Sequence, residues 1–292
     1  MLDCVIAGCG YVGERLARAW PGRTLALVRS ESRAGELAAA GIEALAVDLD
    51  ALADGAALPA GTAGCVLFYL VPPPGDAQHD PRPRALLEAL RGKPSRVVYM
   101  STTGVYGDTA GDRVDESSPV HPATDRARAR LDAERTVQDW AAQHGSEWVV
   151  LRVPGLYGPG RLPLERIRRA QPAIRESEAG PGNRIHVDDL VRACIAAGTS
   201  PAAANRLYNA GDGNHASTTE YFRIVARLAG LAAAPEVSRE EARRGMSPLA
   251  WSFLGDSRRV DSSRLQRELA VEIRYRDLEE GVRACLERER SG

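Results

Sequence analysis

The strongest constraint on the fold lies in the first twenty residues of the 292-residue chain. Gly8-Cys9-Gly10-Tyr11-Val12-Gly13 carries glycines at GxGxxG spacing. Alone, that spacing is a weak signal. Here it follows an apolar run, Leu2 to Ala7, and opens a helical pattern, Tyr11 to Trp20, that Pro21-Gly22 stops. In such a turn Gly8 permits the tight reversal and Gly10 lets the backbone approach a pyrophosphate. Gly13 lets helix and strand pack closely. The helix start then presents free N–H groups and the positive end of its dipole to phosphates. Gly8, Gly10, Tyr11, Val12 and Gly13 therefore predict a dinucleotide site.

The rest of the first half repeats the strand–helix rhythm. Apolar runs at Thr24–Val28, Ile42–Val47, Cys65–Val71, Arg96–Met100 and Trp148–Val153 read as strands. Helical stretches fall at Glu31–Ala40, Arg84–Leu90 and Thr124–Gln143. Continuous rather than alternating apolar runs indicate strands covered on both faces. The expected fold class is α/β, a Rossmann-type doubly wound parallel sheet. Beyond Pro154 the rhythm breaks into a Gly-, Pro- and Arg-rich stretch. Helices follow near Asp188–Ala197, Thr218–Leu228, Ser262–Leu269 and Leu278–Glu287. We expect residues 1–155 to form the NAD(P)-binding domain. Residues 156–292 form a smaller C-terminal α+β substrate lobe, from which the chain can fold back into the sheet.

Charge and composition remove several alternatives. A formal net charge of −1 leaves no footprint for nucleic acid. No apolar stretch approaches the 18 residues of a membrane span, so no membrane partner and a cytoplasmic location are expected. The cysteines are scattered without CxxC spacing, and no metal site is expected. Lys93 is the single lysine among 38 Lys and Arg residues, so any lysine chemistry must use it.

Cofactor choice should be set at the end of the second strand, which meets the adenosine ribose. An acid there binds a 2′-hydroxyl, whereas arginine accommodates a 2′-phosphate. Val28 is followed by Arg29 and Ser30, with Arg33 one helical turn on. NADP is therefore favoured, with NAD left open; solvated surface arginines are the alternative reading. Asp48 and Leu49, after the third strand, are placed to touch the adenine. Leu70, ending the fourth, joins the expected cofactor set.

Later segments resemble extended short-chain dehydrogenases/reductases of the NAD-dependent epimerase/dehydratase type. They include Ser101-Thr102-Thr103-Gly104-Val105-Tyr106-Gly107-Asp108, Leu151-Arg152-Val153-Pro154-Gly155-Leu156-Tyr157-Gly158-Pro159-Gly160 and His186-Val187-Asp188-Asp189-Leu190. Tyr208-Asn209-Ala210-Gly211 and Val260-Asp261-Ser262-Ser263-Arg264 extend the likeness over essentially the whole chain. The resemblance implies that Pro154 and Leu156 lie near the nicotinamide, and that a small polar molecule, a nucleotide sugar or another anion, is the substrate. It is also compatible with a homodimer through the helices after strands four and five.

One family motif is missing. The resemblance implies a tyrosine and a lysine four residues apart on the helix after strand five, hence on one helix face. Arg126 and Arg130 stand there, placing this chain with an atypical branch. Arginine cannot serve as an ordinary acid–base group, because its pKa exceeds about 12. Thr102 matches the family's substrate-orienting hydroxyl. Arg126 can clamp a substrate anion or lie on a charged helix edge, and Arg130 can keep the lysine's ribose contact. Thr103-Gly104 stands where the family's dehydratases carry an Asp-Glu pair, which argues against sugar dehydration. Tyr106, Tyr157 and His186 remain as other proton donors, and Asp188 reads as a helix N-cap. The expected function is an NAD(P)-binding oxidoreductase or epimerase-like enzyme; the alternative is a catalytically inactive NADP-binding sensor.

Overall fold

The computed structural model describes residues 2–52, 58, 61–75, 77–246, 251 and 257–291. The apolar runs become β1 (Cys4–Ala7), β2 (Thr24–Val28), β3 (Ala44–Ala46), β4 (Val66–Tyr69), β5 (Arg96–Thr102) and β7 (Glu147–Val153). Several are shorter than their apolar runs, because pairing stops where the flanking residues leave the sheet. The helical stretches become α1 (Tyr11–Ala19), α2 (Glu31–Ala39), α3 (Arg82–Ala89) and α4 (Asp125–His144). Thr124 caps α4 by accepting from the Ala127 N–H at 3.2 Å, and left-handed Gly145 ends it.

The central sheet has seven parallel strands in the order β11-β7-β5-β4-β1-β2-β3. β11 (Arg206–Asn209) returns from the second half of the chain to cover the edge of β7. Its sequence was legible as a motif, not as a strand. Strand order reverses between β1 and β4, and ligands of such sheets bind at the carboxyl ends beside that reversal. One face is covered by α1, α2 and α6 (Val187–Thr199), through Leu16, Leu37, Leu190 and Cys194. The other is covered by α3 and α4, through Leu86, Val137 and Trp140. The sheet is thus buried on both faces, as its unbroken apolar strands required.

The remaining elements are short. They include β6 (Arg113–Val114), β8 (Gly155–Tyr157), β9 (Ala173–Ile174), β10 (Arg184–His186), β12 (Glu236–Val237) and β13 (Arg259–Val260). These pair as β8 with β10, β9 with β12 and β6 with β13. The helices are α5 (Leu164–Arg168), α7 (Thr218–Ala229), α8 (Arg239–Gly245), α9 (Ser263–Leu269) and α10 (Leu278–Ser291). Tyr157, Phe222, Val225 and Val282 form a separate core among them. Strands of two or three residues carry too little periodicity to read from sequence. The α6 cap also differs from expectation. His186 has extended backbone and its Nδ1 accepts from the Asp188 N–H at 3.1 Å, so His186 is the N-cap. Asp188 lies inside the first turn, paired with Arg288 at 2.8 Å.

The turn after β11 buries Asp212. Its Oδ1 accepts from the Asn214 N–H at 2.8 Å, while Oδ2 has no partner among the described residues. Burial pushes this carboxyl up to about 7; the Asn214 N–H and Arg184 oppose the shift, and Asp189 adds to it. The folded state therefore holds the proton more tightly than the unfolded chain, whose Asp titrates near pH 4. Asp212 should lower stability progressively as pH rises from about 4 to about 7. In urea unfolding across that range, Asp212→Asn should remove this part of the slope and be the more stable protein at pH 8. An unchanged slope would rule the effect out.

Candidate active site

The glycine loop sits at the reversal point of the sheet. Gly8 has φ +84°, and a β-carbon there would lie 2.9 Å from the Val71 backbone nitrogen, so the turn and the end of β4 both demand glycine. The Leu70 N–H donates to the Ala7 carbonyl at 2.8 Å, which fixes that neighbour. A β-carbon on Gly13 would meet the Gly8 carbonyl at 3.0 Å and Ile6 at 3.2 Å, the close strand–helix packing expected of the third glycine. Gly10 differs, because a β-carbon there meets nothing within 4 Å. The backbone at Gly10, before the first turn of α1, is thus open to the approach of a bound group, and a helix start of this kind could hold a phosphate. Val12 is buried under the loop. Tyr11 is half-buried, and its Oη donates to the Pro159 carbonyl at 2.9 Å. Leu156, on β8, packs on the same core as α1, with half-buried Pro154 just before it.

At the carboxyl end of β2 both arginines have acidic neighbours. Exposed Arg29 lies 3.5 Å from Asp48 and 3.4 Å from Asp50. Arg33 pairs with Glu14 at 2.7 Å and Glu36 at 2.8 Å. Ser30 is the N-cap of α2, accepting from the Arg33 N–H at 3.3 Å. Leu49 is half-buried beside the core under α3 and α4. The structure thus brings Arg29 and Asp48 together, while Arg33 is held on the side of α1 and α2.

The second group gathers where β5 ends. Thr102 is its last residue, and its Oγ1 accepts from the Gly104 N–H at 3.1 Å while capping a short 3-10 turn, Thr103–Tyr106. That turn packs against the start of α4. The Arg130 Nη1 donates to the Met100 carbonyl at 2.6 Å and to the Val71 carbonyl at 3.3 Å, tying α4 to the ends of β4 and β5. Arg126, one turn earlier, is exposed and makes no hydrogen bond or ion pair among the described residues. Partial desolvation and the Arg130 charge both hold its pKa below the usual arginine range. Neither guanidinium pairs with a carboxylate among the described residues, so buried Arg130 and exposed Arg126 leave two uncompensated positive charges on the first turns of α4.

The other proton-donor candidates are held inside the fold. Tyr106 and Tyr157 are buried. The Tyr106 Oη donates to Asn209 Oδ1 at 2.8 Å, and burial pushes its pKa up. The Tyr157 Oη faces the backbone of Gly281, and burial raises its pKa too. His186 is fully buried, capping α6, with burial driving its pKa down to about 4. None presents a titrating proton to the cleft.

Beneath Thr102 lies a network not anticipated from sequence. Glu134 of α4 accepts from Arg152 of β7 through Nη2 at 2.8 Å and Nε at 3.1 Å, and from the Ser101 hydroxyl. Arg152 also stacks over the Tyr106 ring, 4.9 Å from its centroid. The signal was present, because an arginine inside Val149–Val153 must find a buried acid.

A model described as the NAD dependent epimerase/dehydratase family matches residues 82–211, which include Thr102, Arg126, Arg130 and Pro154. The chain is 28% identical over 297 residues to Protein YeeZ of Escherichia coli K12, covering 95% of this chain and 97% of that one. A functionally unknown conserved protein from Silicibacter pomeroyi DSS superposes with a TM-score of 0.80 at 28% identity, covering 99% of both chains. UDP-glucuronic acid 4-epimerase from Bacillus cereus, solved in complex with NAD, gives 0.76 at 17% identity, covering 99% of this chain and 96% of that one. At that identity the last similarity is one of fold.

Proposed function

We propose that the chain is a member of the NAD-dependent epimerase/dehydratase family, whose model matches residues 82–211, and that it is an NADP-preferring oxidoreductase or epimerase-like enzyme. Its substrate is a small polar anion of the nucleotide-sugar kind. The observation that carries this reading is the glycine cradle, open only over Gly10, at the reversal point beside Thr102. A bound nicotinamide dinucleotide would supply or accept hydride.

The protein's own groups then have distinct tasks. The Thr102 Oγ1 already accepts from Gly104, so its proton is left to donate to a substrate oxygen. Arg126 can hold a substrate carboxylate or phosphate through two parallel N–H···O bonds. Arg130 keeps the ends of β4 and β5 in register with α4, and its Nη2 remains for a ribose hydroxyl. Arg29 can exchange its two long, exposed ion pairs for a 2′-phosphate at little cost. A homodimer through α3 and α4 belongs to the same reading, and light scattering would test it.

Calorimetry should find tighter binding of NADPH than of NADH. Arg29→Ala should weaken NADPH about tenfold, the size of one charge-assisted contact, and leave NADH unchanged. Failure of the purified protein to bind either nucleotide would remove the proposal at its root.

The burial of Tyr106, Tyr157 and His186 favours a second reading, a protein that holds the cofactor and signals its redox state without turnover. Nicotinamide turnover that is lost in Thr102→Ala would exclude it.

A further inference from the structure

A cavity of about 330 Å³ opens where β6, β13, the 211–215 turn and the start of α9 meet. Its volume lies at the lower end of the range for small-molecule sites, about 300–1,000 Å³. Arg113, Arg259, Arg276 and His215 line it, with Asp261 and Gln266. No residue of the glycine loop lines it, and neither do Thr102, Arg126 or Arg130. It is therefore separate from the cleft described above.

The charges of the lining do not cancel. Asp261 supplies the one carboxylate among the lining residues, and it is already engaged. Its Oδ2 accepts from Arg113 at 2.8 Å and its Oδ1 from the Ser263 N–H at 2.9 Å. Arg259 donates to the Gly111 carbonyl and Arg276 to the Gln266 side-chain oxygen, both neutral acceptors. Neither arginine makes an ion pair among the described residues. Two positive charges therefore remain over one concave surface. His215, whose Nδ1 lies 3.1 Å from Asn183 Oδ1, senses that field. Burial lowers its pKa first. The Gly182 backbone and Asp261 act in the raising direction, and the Arg259 and Arg113 charges add to the lowering.

We propose that this cavity is a second ligand site, for a phosphate-bearing small molecule. A phosphate monoester carries about −1.5 to −2 charges at neutral pH, which matches the two uncompensated guanidinium groups. Its oxygens also suit their planar donor forks. A volume of about 330 Å³ fits a small molecule rather than a polymer. A net charge of −1 on the whole chain gives no wider basic surface for nucleic acid. The proposal is independent of the cofactor reading.

The experiment follows the histidine ring signals of the full chain by NMR while inorganic phosphate is added at fixed ionic strength. The His215 signals, assigned with His215→Gln, should shift saturably, and the ring's apparent pKa should rise as the anion offsets the arginine field. Arg276→Gln should weaken phosphate about tenfold, because one charge-assisted contact is lost. His215 signals that stay in place, whether or not other signals move, would overturn the proposal. So would equal affinity in a folded Arg276→Gln. Should that variant fail to fold, the His215 titration of the parent with and without phosphate still decides the matter.

Discussion

Glu134→Ala is expected to destabilise the protein by about 3–5 kcal/mol, the usual result of removing one partner from a buried ion pair. Glu134 is 2% exposed and Arg152 5% exposed, so water cannot take over the lost contacts. The substitution would leave the Arg152 guanidinium charged and dry between β7 and α4, and the Ser101 hydroxyl without its acceptor. Urea unfolding would measure the loss. Glu134→Gln keeps an acceptor oxygen and should lose less. Replacing Glu134 and Arg152 together by leucine and methionine should recover much of the stability, because a well-packed apolar pair owes no desolvation. A loss below about 1 kcal/mol for Glu134→Ala would mean that the pair is solvated in solution. The pair has a positional consequence as well. It holds Ser101, the residue before Thr102, against the helix that carries Arg126 and Arg130.

The second large effect should appear in binding without appearing in stability. Gly10 is the one glycine of its loop whose added β-carbon would project into open space, so Gly10→Val should fold with a nearly unchanged melting temperature. On the proposed function, that same space is where a pyrophosphate would approach the backbone. Overpacking by a few carbons costs about 1–3 kcal/mol, or roughly ten- to a hundredfold in nucleotide affinity. Gly13→Val, by contrast, should lose stability and affinity together, since its β-carbon meets backbone at 3.0 Å. Calorimetry with NADPH and a thermal melt on both variants would check the contrast. Undiminished binding by Gly10→Val would place the nucleotide elsewhere.

The sheet was legible in the sequence because its strands are buried on both faces. Val5, Ile6, Leu67, Phe68, Val97 and Val98 left no ambiguity about the period. The glycine spacing was legible for a similar reason, since Gly8 and Gly13 each answer a separate steric demand of the strand–helix turn. The Glu134–Arg152 pair was half legible. Arg152 was visible as a charge within an apolar strand, but its partner lies 18 residues back on another element, at no fixed spacing. The second cavity was not legible at all. Arg113, Arg259 and Arg276 look like ordinary surface arginines in an arginine-rich chain. Only the pairing of β6 with β13 brings the first two into register. Arg126 was singled out in the sequence because a tyrosine was expected at its position. That it carries no partner was knowable only from the packing of α4.

β11 has a consequence for how the chain is made. It is synthesised about fifty residues after β7, yet it supplies the hydrogen-bonding partner of the β7 edge that β5 leaves open. When Val153 leaves the ribosome, the half of the sheet made so far still has a bare edge. At about 5–20 residues per second it stays bare for several seconds. Unpaired edges of that kind recruit neighbouring chains. The two halves of the sequence are thus one unit of biosynthesis. A gene cut at the apparent boundary near residue 155 should yield an aggregating fragment rather than a portable cofactor module.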